Sequence, residues 1–303
     1  MDDLITSRIQ EIHHNLKTDV RLFIKREDEI HPIVSGNKYR KLKYNLIEVK
    51  KSGLDTILTF GGAYSNHIAA VALACKKQRI TSIGVIRGEE LKAKIGSNPT
   101  LKFAEECGMQ FYFVSREDYR KKTEPDFIQK LENKFGSFYL LPEGGTNELA
   151  VKGCEEILNK EDEDFDFICC SVGTGGTVSG LVNASNYHQN VLGFSALKGN
   201  FLIQDIRKFA NKNNWDLVTD YHFGGYAKIK DELIAFINQF KDQYNILLDP
   251  IYTGKMAYGI FDLMNKDYFP SGSKILMIHT GGLQGIEGMN KKLSSKNKPQ
   301  IKI

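Results

Sequence analysis

The chain has 303 residues, 41% of them hydrophobic and 26% charged, with 27 Gly and only 7 Pro. That much apolar side chain can offset the entropy of ordering, so disorder is excluded, as are collagen, coiled-coil and disulfide-scaffold compositions. Lys and Arg total 41 against 37 Asp and Glu, and the resulting net charge of +4 is too small to argue for nucleic acid or an anionic membrane surface.

Short apolar runs alternate with helical stretches from one end to the other. The segment Ser35-Gly36-Asn37-Lys38-Tyr39-Arg40-Lys41-Leu42 opens a helix that Ser35 or Asn37 can cap and whose apolar stripe includes Leu42, Leu46 and Val49. A strand at 55–60 runs into Gly61-Gly62-Ala63-Tyr64-Ser65-Asn66 and an Ala-rich helix at 67–77. Strands at 80–87 and 110–114 flank a helix at 99–107. The strand at 138–141 leads through Pro142-Glu143-Gly144-Gly145 to a helix near 148–160. A buried strand at 165–171 turns through Gly173-Thr174-Gly175-Gly176-Thr177 into a helix at 178–184. A strand at 191–196 follows, then helices near 203–211, 230–240 and 255–264. The last apolar strand, 274–279, ends in Thr280-Gly281-Gly282. This β-turn-α alternation implies the α/β class, parallel sheets covered by helices, because parallel neighbours require crossovers. The tail 291–303 carries five Lys and no acid and reads as a frayed, solvated end.

Cys75, Cys107, Cys154, Cys169 and Cys170 form no Cys-x-x-Cys pair and read as small buried hydrophobes of a reducing compartment. The start Met1-Asp2-Asp3-Leu4 lacks signal-peptide features, and no apolar run approaches the ~20 residues of a membrane helix. A cytoplasmic protein without metal, membrane or nucleic-acid partners is expected.

Four Gly-rich turns follow apolar strands, at 61–62, 144–145, 173–176 and 281–282. Ligands of open α/β sheets bind beyond the carboxyl ends of strands, where such turns lie. The best phosphate cup is Gly173 to Thr177, where backbone N–H groups and a helix N-terminus converge. It matches neither the P-loop nor the dinucleotide spacing, so it suits a single phosphate, and a ligand-free tight turn is the plain alternative. Lys38 falls in the first turn of its helix, among Arg40, Lys41 and Lys43, and like charges with partial burial lower a lysine pKa, as a Schiff-base lysine requires. An ordinary basic helix face is the alternative there. Ser65 is a helix cap, a carboxylate ligand or a proton-transfer hydroxyl. His67 has no acid partner in sequence, and His279 reads as a packed core histidine.

Together these segments resemble the pyridoxal-phosphate enzymes of the tryptophan synthase β-type fold, in the branch of D-cysteine desulfhydrase and 1-aminocyclopropane-1-carboxylate (ACC) deaminase. The similarity spans nearly the whole chain in order: Ile24-Lys25-Arg26-Glu27-Asp28, then 35–42, Ser65-Asn66-His67, Leu141-Pro142-Glu143-Gly144-Gly145, 173–177, Asp249-Pro250-Ile251-Tyr252-Thr253-Gly254-Lys255, and His279-Thr280-Gly281-Gly282. Ser35 stands where the family has its first Gly, and Ser97-Asn98-Pro99-Thr100-Leu101 replaces Gly-Asn-Leu-Leu-Leu.

The resemblance implies two open twisted, mostly parallel sheets flanked by helices, with pyridoxal 5'-phosphate in the cleft between a large domain (1–51 plus 143–303) and a small one (52–142). It implies that Lys38 carries the cofactor and removes the substrate Cα proton, and that Gly173, Thr174, Gly175, Gly176 and Thr177 bind the phosphate. Asn66 would contact the cofactor ring, while Ser65, Asn66 and His67 would hold the carboxylate of a small amino-acid substrate. Tyr252 and Tyr226 would face the leaving group, packing alone being the alternative for Tyr226. Thr253 and Thr280 would stand near the ring where deaminases have Glu and Leu. A neutral hydroxyl beside the ring nitrogen makes a weaker electron sink than a carboxylate, adequate for expelling a thiolate. D-cysteine β-elimination is therefore expected first, ACC deamination next, then β-replacement, with a non-catalytic ligand-binding homologue as the reading of another class. A homodimer is implied by the resemblance alone.

Overall fold

The computed structural model describes residues 6–31, 34 and 36–303; Ser35 and Met1 to Leu4 lie outside the described residues. Among the described residues there are ten strands: β1 (Ile9–Ile12), β2 (Arg21–Lys25), β3 (Thr56–Gly61), β4 (Thr81–Arg87), β5 (Gln110–Val114), β6 (Tyr139–Leu141), β7 (Phe167–Val172), β8 (Asn190–Ser195), β9 (Trp215–Val218) and β10 (Lys274–Ile278). The first helices are α1 (Asn37–Lys51), α2 (Asn66–Gln78), α3 (Pro99–Glu106), α4 (Arg116–Arg120), α5 (Pro125–Phe135) and α6 (Glu148–Glu155). They are followed by α7 (Gly176–Ala184), α8 (Leu202–Arg207), α9 (Asp231–Tyr244), α10 (Thr253–Asn265) and α11 (Gly285–Ser294).

The strands form two sheets, in the orders β1-β2-β10-β7-β8-β9 and β5-β4-β3-β6. Every pairing is parallel except β1 with β2. The expected α/β class with two mostly parallel, helix-flanked sheets is therefore the observed one. Strand β7 shows why the runs are continuously apolar. Cys169 packs with Ile24 and Met277 on one face, Cys170 with Ile168, Leu276 and Ile278 on the other, so both faces are covered by core. All five cysteines are buried, with no disulfide among them.

Both sheets reverse their strand order where the Gly-rich turns lie. In the second sheet β3 sits between β4 and β6; in the first, β7 and β10 are neighbours whose chains run off to opposite sides. The carboxyl ends of β3, β7 and β10 are thus at topological switch points, where crevices open because successive crossovers diverge.

Two glycines set how closely the elements approach. A Cβ at Gly36, whose φ is +59°, would lie 2.0 Å from the Thr280 carbonyl oxygen, so the start of α1 is pressed against the turn after β10. A Cβ at Gly153 would lie 2.0 Å from the Arg40 carbonyl oxygen, which lets α6 pack directly on α1.

The tail departs from expectation. Helix α11 occupies 285–294, Ile301 is buried, and Asn290 exchanges two hydrogen bonds with the backbone of Ile301 at 2.8 and 2.9 Å. The basic end is anchored rather than frayed, because its lysines are interspersed with an apolar stripe (Ile286, Met289, Leu293) that the core accepts. Among the described residues no helix is long and apolar enough to cross a membrane.

Candidate active site

All four Gly-rich turns border one cleft of about 800 Å³, a size typical of small-molecule sites (about 300–1,000 Å³). Lys38, Ser65, Asn66, His67, Gly173, Thr174, Gly175, Thr177, Tyr226, Tyr252 and Thr280 line it. Gly176 and Thr253 do not.

Helix α1 brings two lysines to this cleft. Its N-cap is Gly36, without a side-chain capping bond, so Asn37 is the first helical residue and not the cap. The Asn37 amide instead donates to Thr177 Oγ1 at 2.9 Å, and its carbonyl accepts from Lys38 Nζ at 3.3 Å. Burial, with Lys41 as a like-charged neighbour, lowers the Lys38 pKa to about 7. The basic cluster is not an exposed helix face: Arg40 is buried against Glu27 at 2.9 Å and Lys43 reaches Glu156 at 2.8 Å. Each charge has its own partner from elsewhere in the chain.

Lys41 is different, and sequence reasoning missed its role. Its buried ammonium donates to Gly144 O at 3.1 Å, Thr146 Oγ1 at 2.9 Å and Thr174 Oγ1 at 3.5 Å. No described carboxylate pairs with it, and burial lowers its pKa. A Cβ at Gly176 would come within 3.2 Å of Lys41 Nζ, so that glycine leaves room for the lysine beneath the cup although it does not line the cleft. The signal was present: Lys38 and Lys41 are spaced i, i+3 and share a helix face.

The turn after β3 supplies the opposite wall. Ser65 is the N-cap of α2 and accepts from Ile68 N at 3.4 Å. The following N–H groups leave α2 with its positive end at the cleft. Asn66 Nδ2 donates to Gly282 O at 3.2 Å, tying this turn to the one after β10. Thr59 Oγ1 donates to Leu141 O and lies 2.8 Å from His67 Nε2, so Nε2 is the donor and Nδ1 a lone pair, which has no hydrogen-bond partner. Burial, then Lys38 and Lys41, hold the ring well below its usual pKa. His67 is thus a neutral ring on the cleft wall, with Nδ1 as its free acceptor.

Tyr252 and Tyr226 meet edge to face, with ring centroids 6.3 Å apart. Burial raises both phenol pKa values, so both hydroxyls carry protons at neutral pH. The segment holding Tyr226 is clamped by buried Lys255, which donates to His222 O and Gly225 O at 2.9 Å each. Thr253 is turned away. Its hydroxyl donates to Asp249 Oδ2 at 2.7 Å and accepts from Asp249 N, while Asp249 also receives the N–H groups of Ile251, Tyr252 and Thr253. Asp249 and Thr253 together close the start of α10, and Thr253 is not among the residues that line the cleft. Thr280 remains on the cleft wall, 3.4 Å from Ser171 Oγ.

These residues fit a phosphate ester that bonds to an amine. A buried cation without a counter-ion stands beneath a Gly/Thr cup, and a lysine of lowered pKa stands beside it. Burying an unpaired ammonium is costly, and an anion in the cup would offset that cost.

The chain matches a family model described as pyridoxal-phosphate dependent enzyme over residues 6–281. An Arabidopsis thaliana mitochondrial protein named bifunctional D-cysteine desulfhydrase/1-aminocyclopropane-1-carboxylate deaminase is 32% identical over 300 residues, covering 89% of this chain and 74% of that protein. A Rhizobium rhizogenes protein named 1-aminocyclopropane-1-carboxylate deaminase is 27% identical over 312 residues, covering 93% and 92%. A crystal structure described as an ACC deaminase homologue aligns with a TM-score of 0.82 at 29% identity, covering 96% of this chain and 94% of that one.

Proposed function

The chain belongs to the pyridoxal-phosphate dependent enzyme family, and from that premise we propose that it is a deaminating lyase whose reaction is β-elimination from D-cysteine, giving pyruvate, sulfide and ammonia. The observation that carries this reading is that no free carboxylate lines the cleft among the described residues. Its two acids are engaged: Glu143 by Tyr119 and Lys122, Asp205 by Lys208. When bound, pyridoxal phosphate withdraws electrons from the substrate Cα, and an acid beside its ring nitrogen would strengthen that pull. The hydroxyls of Thr280 and Ser171 leave the pull moderate, which suits a substrate with a good leaving group.

In this reading the cup from Gly173 to Thr177 and the Lys41 ammonium bind the phosphate, and Lys38 holds the cofactor covalently. The N-terminus of α2, with Ser65 and Asn66, takes the substrate carboxylate. The His67 lone pair accepts a hydrogen bond, and the released Lys38 amine takes the Cα proton. Tyr252 or Tyr226, still protonated, hydrogen-bonds the departing sulfur. On this reading the cofactor would lie between a large domain, 1–51 with 143–303, and a small one, 52–142, in a cytoplasmic homodimer.

The test supplies D-cysteine and ACC separately to the cofactor-loaded protein and assays sulfide, pyruvate and 2-oxobutyrate. Sulfide with pyruvate from D-cysteine alone is expected. A second reading, ACC deamination, is favoured by the name of the Rhizobium relative, and 2-oxobutyrate from ACC would establish it instead.

Cofactor capture should also depend on pH. An amine attacks an aldehyde only as the free base, and Lys38 loses its proton at about 7 rather than at the ordinary 10.5. Uptake by the apo protein is therefore expected to speed up by about tenfold per unit as pH rises towards 7 and to level off above it. Stopped-flow absorbance from pH 5.5 to 9.5, with free lysine as reference, measures this. A rate still climbing steeply above pH 9 would return Lys38 to an ordinary value.

A further inference from the structure

Two cations that line the cleft, Arg87 and Lys292, have no part in holding cofactor or substrate; Lys292 is exposed on α11, whereas Arg87 sits at a strand end. Arg87 is the last residue of β4, opposite Val114 of β5, and it lines the cleft wall. Its guanidinium carbon lies 5.6 Å over the Tyr119 ring, and its Nη2 would be 3.7 Å from a Cβ at Gly62. The group therefore stands beside the turn that carries Ser65 to His67. The acid of this cluster is already used: Glu143 accepts from the Tyr119 hydroxyl at 2.8 Å and pairs with Lys122 at 3.4 Å. No described carboxylate forms an ion pair with Arg87. Tyr119 itself is buried and held by that bond to Glu143, so the ring face beneath the guanidinium is rigid.

A guanidinium without an acid partner, stacked on a fixed ring at a strand end, presents a planar fork of donors that matches carboxylate, phosphate or sulfonate bidentately. Neither D-cysteine nor ACC has a second oxyanion group for it. We propose that Arg87 is a second anion seat in the cleft, and that the enzyme accepts β-substituted amino acids whose leaving group is itself an oxyanion. The inference rests on the elimination reading for turnover but not for binding. For a phosphate ester, Lys38 would take the Cα proton, the Cα–Cβ double bond would form, and the Cβ–O bond would break with its electron pair leaving on phosphate. Hydrolysis of the resulting enamine by water gives pyruvate and ammonia, so the sum is O-phosphoserine plus water to pyruvate, ammonia and phosphate.

The experiment measures equilibrium binding of serine and O-phosphoserine, each in D and L form, to the holoenzyme, whose own cofactor fills the phosphate cup. Wild type is expected to bind one enantiomer of O-phosphoserine at least about tenfold more tightly than the matching serine. Arg87→Gln should erase that preference and Arg87→Lys should keep part of it, with the absorbance of the bound cofactor reporting that each variant is folded. Equal binding of the two ligands by wild type, or a preference that survives Arg87→Gln, would overturn the proposal. Pyruvate release is followed in parallel. A preference that depends on Arg87, without pyruvate from either D-cysteine or O-phosphoserine, would sustain the seat and sink the elimination reading. Pyruvate from D-cysteine with no binding preference would do the reverse.

Discussion

Lys38→Ala should remove both covalent retention of the cofactor and turnover, the latter by at least about a thousandfold. Among the described residues only Lys38 combines an amine on the cleft wall with a pKa lowered to about 7. Lys41, the other buried lysine there, is occupied by three oxygen acceptors. Borohydride reduction followed by intact-mass analysis checks the first outcome: wild type gains the mass of the reduced cofactor and the variant does not. A variant that still gains it would move the attachment to another lysine. Because Lys38 projects into the cleft and makes one hydrogen bond, to Asn37 at 3.3 Å, the fold should tolerate the change, and circular dichroism would show it.

Lys41→Met is expected to separate two observables. Cofactor affinity should fall by about a hundredfold, since a buried charge-assisted contact to the phosphate is lost. Apo stability should change by no more than about 1 kcal/mol, because removing an unpaired buried ammonium also removes its desolvation cost. Methionine keeps the length and packing of the stem. Equilibrium dialysis with pyridoxal phosphate and urea unfolding of the apo protein give the two numbers. Unchanged affinity would take Lys41 out of the phosphate seat, and a loss of several kcal/mol with intact affinity would make it a purely structural link between α1 and the turns at 144 and 174.

Where the sequence was legible, local rules and tertiary demands agreed. Strand β7 and its cup could be read because a strand covered on both faces must be continuously apolar, and the glycines follow it at once. Strands β1 and β9 were not read: both are four residues long, lie at sheet edges and are only partly buried, so neither a continuous run nor a clean alternation marks them. Helix α5 was missed although Pro125 at its start and buried Phe127 and Leu131, spaced i, i+4, announce it. The lysine-rich tail hides its apolar stripe, Ile286, Met289 and Leu293, among charges, and only α11's packing on the core reveals it.

By itself the sequence determined the α/β alternation, the order of the Gly-rich turns, and which residue types stand at each, because period and turn chemistry are local properties of a chain. Those were enough to point to a phosphate cup and a reactive lysine. Only the tertiary structure decided which polar groups face the cleft. Thr253 is spent on Asp249 four residues earlier, and His67 is fixed as an acceptor by Thr59 and Leu141. Among neighbouring cations, Arg40 finds Glu27 while Lys41 finds only neutral oxygens, and Arg87 is left without an acid. Those choices depend on partners up to 133 residues away and on the cost of burying each charge, and both arise only when the sheets and helices pack together.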